Sequence, residues 1–168
     1  IFGIDAIVPN EGVSHRDDLT AVGRVGEDFL VAGHAGIEAD LAKGFSVDLG
    51  SGQNTFDVNA TTLLSNGSIS AVAGGSAIEK QTFILAAELG DVKGGVTLRT
   101  TTASATDFEI GQQAGDSLVV SGNLSLISGS GDDIVTLAGS IESKAVLGIS
   151  LGHGNNAVLS ADSGLIKA

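Results

Sequence analysis

The chain lacks cysteine, tryptophan, tyrosine and methionine altogether, and it contains one proline and six phenylalanines. Without cysteine, neither disulfide bonds nor thiol chemistry are available to it. The shortage of aromatic side chains excludes the Trp- and Tyr-rich hot spots of many recognition surfaces. It also weighs against a carbohydrate site that stacks sugars on aromatic rings. The chain is therefore expected to gain its stability from backbone hydrogen bonds and from packing of small aliphatic side chains.

Positive charge is scarce, because eight Lys and Arg residues face 20 Asp and Glu residues, for a formal net charge of −12. Such a surface repels nucleic acids and anionic lipid headgroups, so we expect neither as a partner. No apolar run reaches the roughly 18 residues of a membrane-spanning helix, which predicts no membrane insertion. At 168 residues the chain is expected to form one domain, residues 1–168.

Glycine is abundant, with 25 residues, and its placement shows a repeat. Three segments align without a gap: Phe45–Phe56, Leu124–Val135 and Leu147–Val158. Each begins with alternating apolar and small residues, continues with Gly-x-Gly and two Asp, Asn or Gln residues, and ends with two further residues, at least one of them apolar. This pattern predicts a short strand, a glycine turn and a second strand. A unit of this kind buries its apolar face only by stacking on copies of itself.

The spacing of the copies predicts a parallel β-solenoid with coils of about 23 residues. A fainter copy starts at Ile69, 24 residues after Phe45, and the copy at Leu147 follows Leu124 by 23 residues. Residues 45–168 form the predicted repeat region, with an interruption expected between residues 76 and 124, where the glycines become irregular. Helix-forming residues in Ile37–Lys43 predict a helical turn there. A Gly-rich β-sandwich or jelly roll is the competing all-β architecture.

The segment Ser128–Thr136 resembles the calcium-binding nonapeptide G-G-x-G-x-D-x-U-x of secreted RTX (hemolysin-type) proteins, with only the first glycine replaced. With the flanking repeats, the resemblance covers about 40 residues. It implies that backbone carbonyls of the turn at Gly129 and Gly131 and the carboxylate of Asp133 bind Ca²⁺. Asp132 is an adjacent candidate ligand.

The sister copies depart from the RTX pattern at its decisive position. Asn54 and Asn156 stand where the pattern has Asp, which keeps an oxygen ligand but removes its charge. The copies also do not follow one another every nine residues, as RTX repeats do. The alternative interpretation is purely structural, because Gly, Asn and Asp are favoured in tight turns whether or not a metal is bound.

No combination of residues points to catalysis. The segment Ser14–Asp18 holds a hydroxyl, an imidazole and two carboxylates, but catalytic triads assemble such groups from distant loops. We therefore expect no enzymatic activity.

The repeat instead favours a secreted structural protein that self-assembles through β-strand edges into an extracellular filament, surface layer or matrix, with calcium as a possible stabilising ion. The chain starts at Ile1 rather than Met, which indicates a processed or excised product; a removed secretion signal is one explanation, and a boundary chosen within a longer chain is another. Residues 1–12 are predicted to hold a detached strand, Ile1–Val8, which one copy donates to the sheet of another. An adhesin or carbohydrate-binding module of a larger secreted protein is the alternative.

Overall fold

Strand pairing in the computed structural model is parallel throughout and winds the chain into a β-solenoid. The structure describes residues 43–161 and 165–168 in full, and upstream of them the backbone of four strands, at 13–15, 19–22, 28–31 and 38–41. The strand predicted at Ile1–Val8 lies outside these residues. Within them the chain forms strands, turns and bends. None of these residues belong to a helix long and apolar enough to span a membrane.

Each coil of the solenoid contributes one strand to each of three faces. The first face is a six-stranded sheet built, from one end to the other, of β2 (Leu19–Val22), β5 (Phe45–Ser51), β7 (Ile69–Gly74), β9 (Val96–Thr100), β12 (Leu124–Ile127) and β15 (Leu147–Ser150). The copies recognised in the sequence stack directly, because Phe45 pairs with Ile69 and Leu124 pairs with Leu147. The predicted solenoid is therefore confirmed, and the sandwich alternative is not.

The second and third faces belong to one 11-stranded sheet that bends at a corner. Two long strands, β6 (Asn54–Ser65) and β8 (Lys80–Val92), run around this corner, and each therefore lies on both faces. The second face is completed by β3 (Asp28–Val31), β10 (Ala105–Ile110), β13 (Ile134–Ala138) and β16 (Ala157–Ala161). The third face is completed by β1 (Val13–His15), β4 (Glu38–Leu41), β11 (Ser117–Val120), β14 (Ser140–Ser143) and β17 (Ile166–Lys167).

Coil length varies more than the sequence repeat indicated. The step between paired first-face residues is 26 from Leu19 to Phe45, 24 to Ile69, 27 to Val96, 28 to Leu124 and 23 to Leu147. The predicted interruption between residues 76 and 124 is wrong, since β8 to β11 continue all three faces. Parallel pairing also reaches upstream of residue 45, to β1. Extra residues are accommodated in the turns, where they leave the strand register unchanged.

The helical turn expected in Ile37–Lys43 is also wrong. Residues 38–41 form β4, which pairs in parallel with the third-face part of β6, with Glu38 opposite Thr62. The helix propensity of Glu, Ala and Leu amounts to a few tenths of a kcal/mol per residue. A strand edge presented by the neighbouring coil offers a backbone hydrogen bond at every second residue, and this tertiary pairing overrides the local preference.

The core lies between the three faces. Inward-facing side chains at equivalent positions of successive coils stack into rows, and these rows fill the core. On the second face, Phe56, Phe83 and Phe108 occupy the same position in consecutive coils and are fully buried. Their ring centroids are 6.3 Å and 5.3 Å apart, and the second pair is nearly parallel. Val135 continues the row and is fully buried, whereas Val158 in the last coil is 53% exposed. The aromatic stack thus ends in a smaller aliphatic row at one end of the solenoid.

Candidate functional site at the glycine corner

The turns that join the first face to the second face stack on one another along one edge of the solenoid. We call this edge the glycine corner, and it comprises residues 50–54, 74–81, 100–106, 128–133 and 151–156. Four of its glycines have positive φ, at Gly50 (68°), Gly52 (128°), Gly152 (56°) and Gly154 (133°). In two of the three repeats Gly-x-Gly is therefore favoured because residues with a side chain adopt this backbone conformation only at a cost.

Close contact between turns in successive coils is the second reason for glycine. A Cβ atom added to Gly152 would lie 1.6 Å from the carbonyl oxygen of Gly129, and one added to Gly154 would lie 2.0 Å from that of Gly131. Gly129 is equally restricted, since its Cβ would lie 1.7 Å from the carbonyl oxygen of Thr102. The predicted metal-site glycines therefore pack against the backbones of the neighbouring coils.

A row of polar side chains fills the interior beside these glycines. We call it the polar column, and in consecutive coils it consists of Asn54, Gln81, Thr106, Asp133 and Asn156. The first four members are 0% to 1% exposed, and only Asn156, in the last coil, is open to solvent. A buried polar group is costly unless its hydrogen bonds are satisfied, so the contacts of each member determine what the column does.

Asn54 fastens its own turn to that of the following coil. Its side-chain amide nitrogen donates to the carbonyl oxygens of Gly52 (3.2 Å) and Gly74 (3.1 Å) and to Oε1 of Gln81 (2.9 Å). The amide of Gln81 donates in turn to the carbonyl oxygen of Gly52, at 2.7 Å. Carbonyl oxygens that face a common point attract either a cation or an N–H donor. At this turn, the Asn54 amide supplies the donor.

Asp133 holds the same place with a carboxyl group, and both of its oxygens accept hydrogen bonds. Its Oδ1 accepts from the backbone N–H of Thr106 at 2.9 Å, and its Oδ2 accepts from the hydroxyl of Ser128 at 2.5 Å. The carboxylate is fully buried. The side chain of Thr106 points to the same interior and donates to the Thr100 hydroxyl at 3.0 Å. The ion pairs Lys80–Asp107 and Lys93–Asp91 do not involve Asp133.

The neighbouring acidic residue, Asp132, is exposed and binds the next coil from outside. Its carboxylate accepts hydrogen bonds from the backbone N–H of Asn155 (2.8 Å) and from the Asn155 side chain. The backbone hydrogen bond, with a smaller contribution from the side-chain bond, lowers the pKa of Asp132 below its ordinary value of 3.8. This carboxylate therefore remains charged to a lower pH than a free aspartate does.

Asn156 completes the column in the last coil. Its Oδ1 accepts the backbone N–H of Asp133 at 3.1 Å, and its amide nitrogen donates to the carbonyl oxygen of Leu151 at 2.9 Å. The structure thus places Asp133 beside Asn156 and places Asn54 further along the same column. Asp132 lies outside the column.

A cation fits the three repeat turns unequally. At Asn54 and Asn156, side-chain amides already donate to the turn carbonyls. The turn at Asp133 instead places a carboxylate in the column. Asp133 is the acidic residue among the five column residues named above, and Asp28 holds the register position before Asn54. The part of the chain that the structure describes contains no group of three or more His, Cys, Asp or Glu side chains arranged to hold a metal ion. Calcium binding stays a prediction for all six residues named from the sequence: Asp133, Asp132, Gly129, Gly131, Asn54 and Asn156.

Sequence reasoning missed two members of the polar column, Gln81 and Thr106. In the three recognised repeats, the column residue follows the first strand residue by nine positions, as from Phe45 to Asn54. The distance is 12 from Ile69 to Gln81 and 10 from Val96 to Thr106, because the corner turn is longer in these coils. A polar residue two positions before the first large apolar residue of an alternating strand, as in Gln81-Thr-Phe83, is the sequence signal that would have located them.

Compared with known proteins, the chain matches no family model, no curated protein and no solved structure. Its fold and its polar column therefore have to be interpreted from this chain's own residues.

Proposed function

We propose that this chain is a structural subunit that self-assembles end to end through the open strand edges of its last coil. The assembly is a secreted, extracellular filament, surface layer or matrix. The observation that carries the proposal is the open end of the solenoid at β15, β16 and β17. Among the described residues, each of these strands pairs with one neighbour only: β12, β13 and β14, respectively.

Unpaired parallel edges on all three faces present a ready template for a further coil. Backbone N–H and C=O groups along an edge strand are available to a strand of the same pattern. Natural solenoids cover such ends with a polar capping element, because an uncovered end promotes association. Such an end supports strand-by-strand addition of another molecule.

Side chains at this end are apolar as well. Val158 belongs to the inward row that contains Phe56 and Phe83, yet it is 53% exposed, since none of the described strands lies beyond β16. Leu147, Ile149 and Leu151, which belong to the inward side of the first face, are only partly buried. Exposed apolar residues grouped in this way are typical of interaction sites, whereas scattered ones are not.

The negative net charge favours association at the end of the solenoid over association between the sides of two molecules. The formal charge of −12 makes the flanks of two molecules repel each other at low ionic strength. Backbone pairing and apolar burial at the end are short-range attractions that such repulsion weakens but does not remove. The balance favours long, thin assemblies over compact aggregates.

Light scattering coupled to size-exclusion chromatography, followed by negative-stain electron microscopy of the same fractions, tests the proposal. We expect masses that grow with protein concentration and particles that lengthen at constant width. A single monomeric mass over the whole concentration range, with dispersed particles, would contradict self-assembly.

Calcium stabilisation is a separable part of the proposal and rests on the Asp133 turn. The same experiment is run with Ca²⁺ and with excess EGTA. Loss of assembly in EGTA for the natural chain, but not for the Asp133→Asn variant, would tie assembly to a metal at this turn. Equal assembly under both conditions would remove calcium from the proposal and leave self-assembly in place.

A glycan-binding or adhesive module is a second candidate, favoured by one surface. Ser46, Ser70, Thr97 and Ser125 occupy the same outward position in four consecutive coils of the first face. Neighbouring strands are about 4.8 Å apart, so the hydroxyls form a regular row. Such a row hydrogen-bonds to hydroxyl-rich polymers. Co-sedimentation with insoluble polysaccharides, and its loss in a Ser70→Ala/Thr97→Ala variant, tests this alternative.

A further inference from the structure

Charge is distributed unevenly between the faces of the solenoid. The strands of the 11-stranded sheet, which forms the second and third faces, contain nine Asp and Glu residues against two Lys residues. The six strands of the first face contain one acidic residue, Asp48, and one basic residue, Arg99. The remaining outward side chains of β5, β7, β9 and β12 come from Ser, Thr, Val and Ile. Two copies of this chain therefore repel each other across the second and third faces, but not across the first face.

The two charged residues of the first face lie in one row, on either side of Val72. Asp48 of β5 and Arg99 of β9 both pair in register with Val72 of β7. Because neighbouring strands are about 4.8 Å apart, about 10 Å separates the two positions along the sheet. Both residues are exposed, and neither forms an ion pair with another described residue. The backbone N–H of Gly50 donates to Oδ1 of Asp48 at 2.9 Å, which orients the carboxylate and uses one of its two oxygens.

This row is complementary to itself. When the first faces of two copies are brought together, a two-fold axis through Val72 and parallel to the strands places β5 of each copy over β9 of the other. Asp48 of each copy then faces Arg99 of the other, and Val72 faces its own equivalent. A two-fold contact of this kind uses the same surface on both copies, so each charged residue meets the opposite charge twice in the pair.

We propose that two copies of this chain pack their first faces together about this axis. A second copy fits the face better than a neutral polysaccharide does, because a neutral polymer has no charges to match Asp48 and Arg99. The hydroxyl row supports the same arrangement, since Ser70 faces its own equivalent and Ser46 faces Thr97 in the register of the three strands. These hydroxyls both donate and accept hydrogen bonds, so each finds a partner across the contact.

The size of the contact determines its strength. Five strands overlap around the axis, from β2 to β12. With about 4.8 Å per strand and about 15 Å of strand length, they cover about 350 Å² on each copy. An area of this size is typical of weak, transient interfaces, so we expect pairing at high protein concentration. The contact is separate from end-to-end addition at the last coil, and it does not depend on it.

Cross-linking at the axis tests the pair, because the natural chain has no cysteine. In a Val72→Cys variant, the thiols of two paired copies lie next to each other, and a short bismaleimide joins them. The matched control is Val119→Cys, since Val119 is a half-buried, outward valine of β11 on the third face. We expect a covalent dimer for Val72→Cys, with a yield that rises with protein concentration, and a much lower yield for Val119→Cys.

Charge reversal in the Val72→Cys protein identifies the partner residues. Asp48→Arg alone, or Arg99→Asp alone, places like charges opposite each other, and we expect each to reduce the cross-link yield severalfold. In a mixture of the two reversed proteins, one copy carries two acidic residues and the other two basic residues. The mixture should therefore regain the yield of the Val72→Cys protein. Recovery on mixing is not an effect on folding, since each protein still carries its own substitution.

Three results would overturn the first-face pair: equal yields for Val72→Cys and Val119→Cys, yields that ignore both charge reversals, or no recovery in the mixture. Light scattering on the natural chain separates this contact from end-to-end addition. Mass that grows with concentration, without a cross-link at position 72, would overturn the pair and leave self-assembly standing. A cross-linked pair whose mass grows no further would support the pair and contradict end-to-end assembly.

Discussion

Asp133 and Asn156 occupy equivalent positions in consecutive coils, and the backbone N–H of Asp133 donates to Oδ1 of Asn156 at 3.1 Å. All column side chains except that of Thr106 thus bond to the backbone of a neighbouring coil, as the carboxylate of Asp133 does with Thr106 at 2.9 Å. Backbone bonds also join the corner of successive coils, as from the N–H of Ser128 to the carbonyl oxygen of Ser150 at 2.8 Å. The polar column adds side-chain bonds inside the same corner, so we expect it to help fix the register of the solenoid.

Removal of the Asp133 carboxylate tests the column directly. In an Asp133→Ala variant the buried N–H of Thr106 loses its acceptor, and we expect the free energy of unfolding to fall by about 1–3 kcal/mol. Asp133→Asn keeps an oxygen at this place and matches the residue found in the sister turns, so its loss should stay below about 1.5 kcal/mol. Urea unfolding in EGTA measures both. Equal losses for the two variants would show that the negative charge itself is required.

Replacement of a corner glycine should be far more damaging than replacement of a loop glycine. A Cβ at Gly129 would lie 1.7 Å from the Thr102 carbonyl oxygen, whereas one at Gly115 meets nothing within 4 Å. We expect Gly129→Ala to cost about 1–3 kcal/mol or more through forced backbone movement. Gly115→Ala should change the thermal midpoint little. Comparable midpoints for the two variants would contradict the tight stacking of the corner.

The phenylalanine stack allows the same kind of stability measurement in the apolar core. Phe83 is fully buried between Phe56 and Phe108, so Phe83→Ala removes a large side chain and two ring contacts. Substitutions of this kind cost about 3–5 kcal/mol. Ile78→Ala is the control, since Ile78 is 95% exposed in a corner turn. Chemical denaturation with circular dichroism as the readout should separate the two variants clearly.

Acid should weaken the contact between the last two coils. The pKa of Asp132 is lowered in the folded chain, mainly by the Asn155 backbone hydrogen bond. A lowered folded-state pKa contributes stability that is present above the unfolded value and is lost as pH falls through the folded value. The stability difference between the natural chain and Asp132→Ala should therefore be full well above the ordinary pKa of 3.8 and should shrink as the pH falls below that value. A difference that persists in acid would show that the carboxylate charge is not what Asn155 recognises.

A charge placed on the open end should block assembly without unfolding the molecule. Val158 is 53% exposed at the end, and Leu89 is 58% exposed on the third face, away from the end. We expect Val158→Asp to hold the chain at monomer mass in light scattering, because a carboxylate would have to be buried under the next copy. Leu89→Asp, with matched exposure and charge, should assemble as the natural chain does. If both variants assemble equally, the last coil is not the contact.

Sequence periodicity predicted the fold wherever the coil length is constant. The repeats at Leu124 and Leu147 have equal corner turns, and both their strand register and the positions of Asp133 and Asn156 followed from the alignment. Between Ile69 and Val96 the step is 27 residues, and loop length carries no signal of which residues lie inside. The interior places of Gln81 and Thr106 were missed for that reason, and β4 was missed because pairing with β6 outweighs its helix propensity.

The same variation in turn length has a practical consequence for protein engineering. The turn between Gly74 and Gln81 holds three more residues than the turn before Asn54, yet Gln81 keeps its register with Asn54. Ile78, near the middle of this longer turn, has almost its whole surface in water. A foreign peptide inserted beside Ile78 would therefore protrude from the edge of the molecule without disturbing the strands. In an assembled array the insert would recur at intervals of one subunit length, which suits the chain to regular display of an epitope.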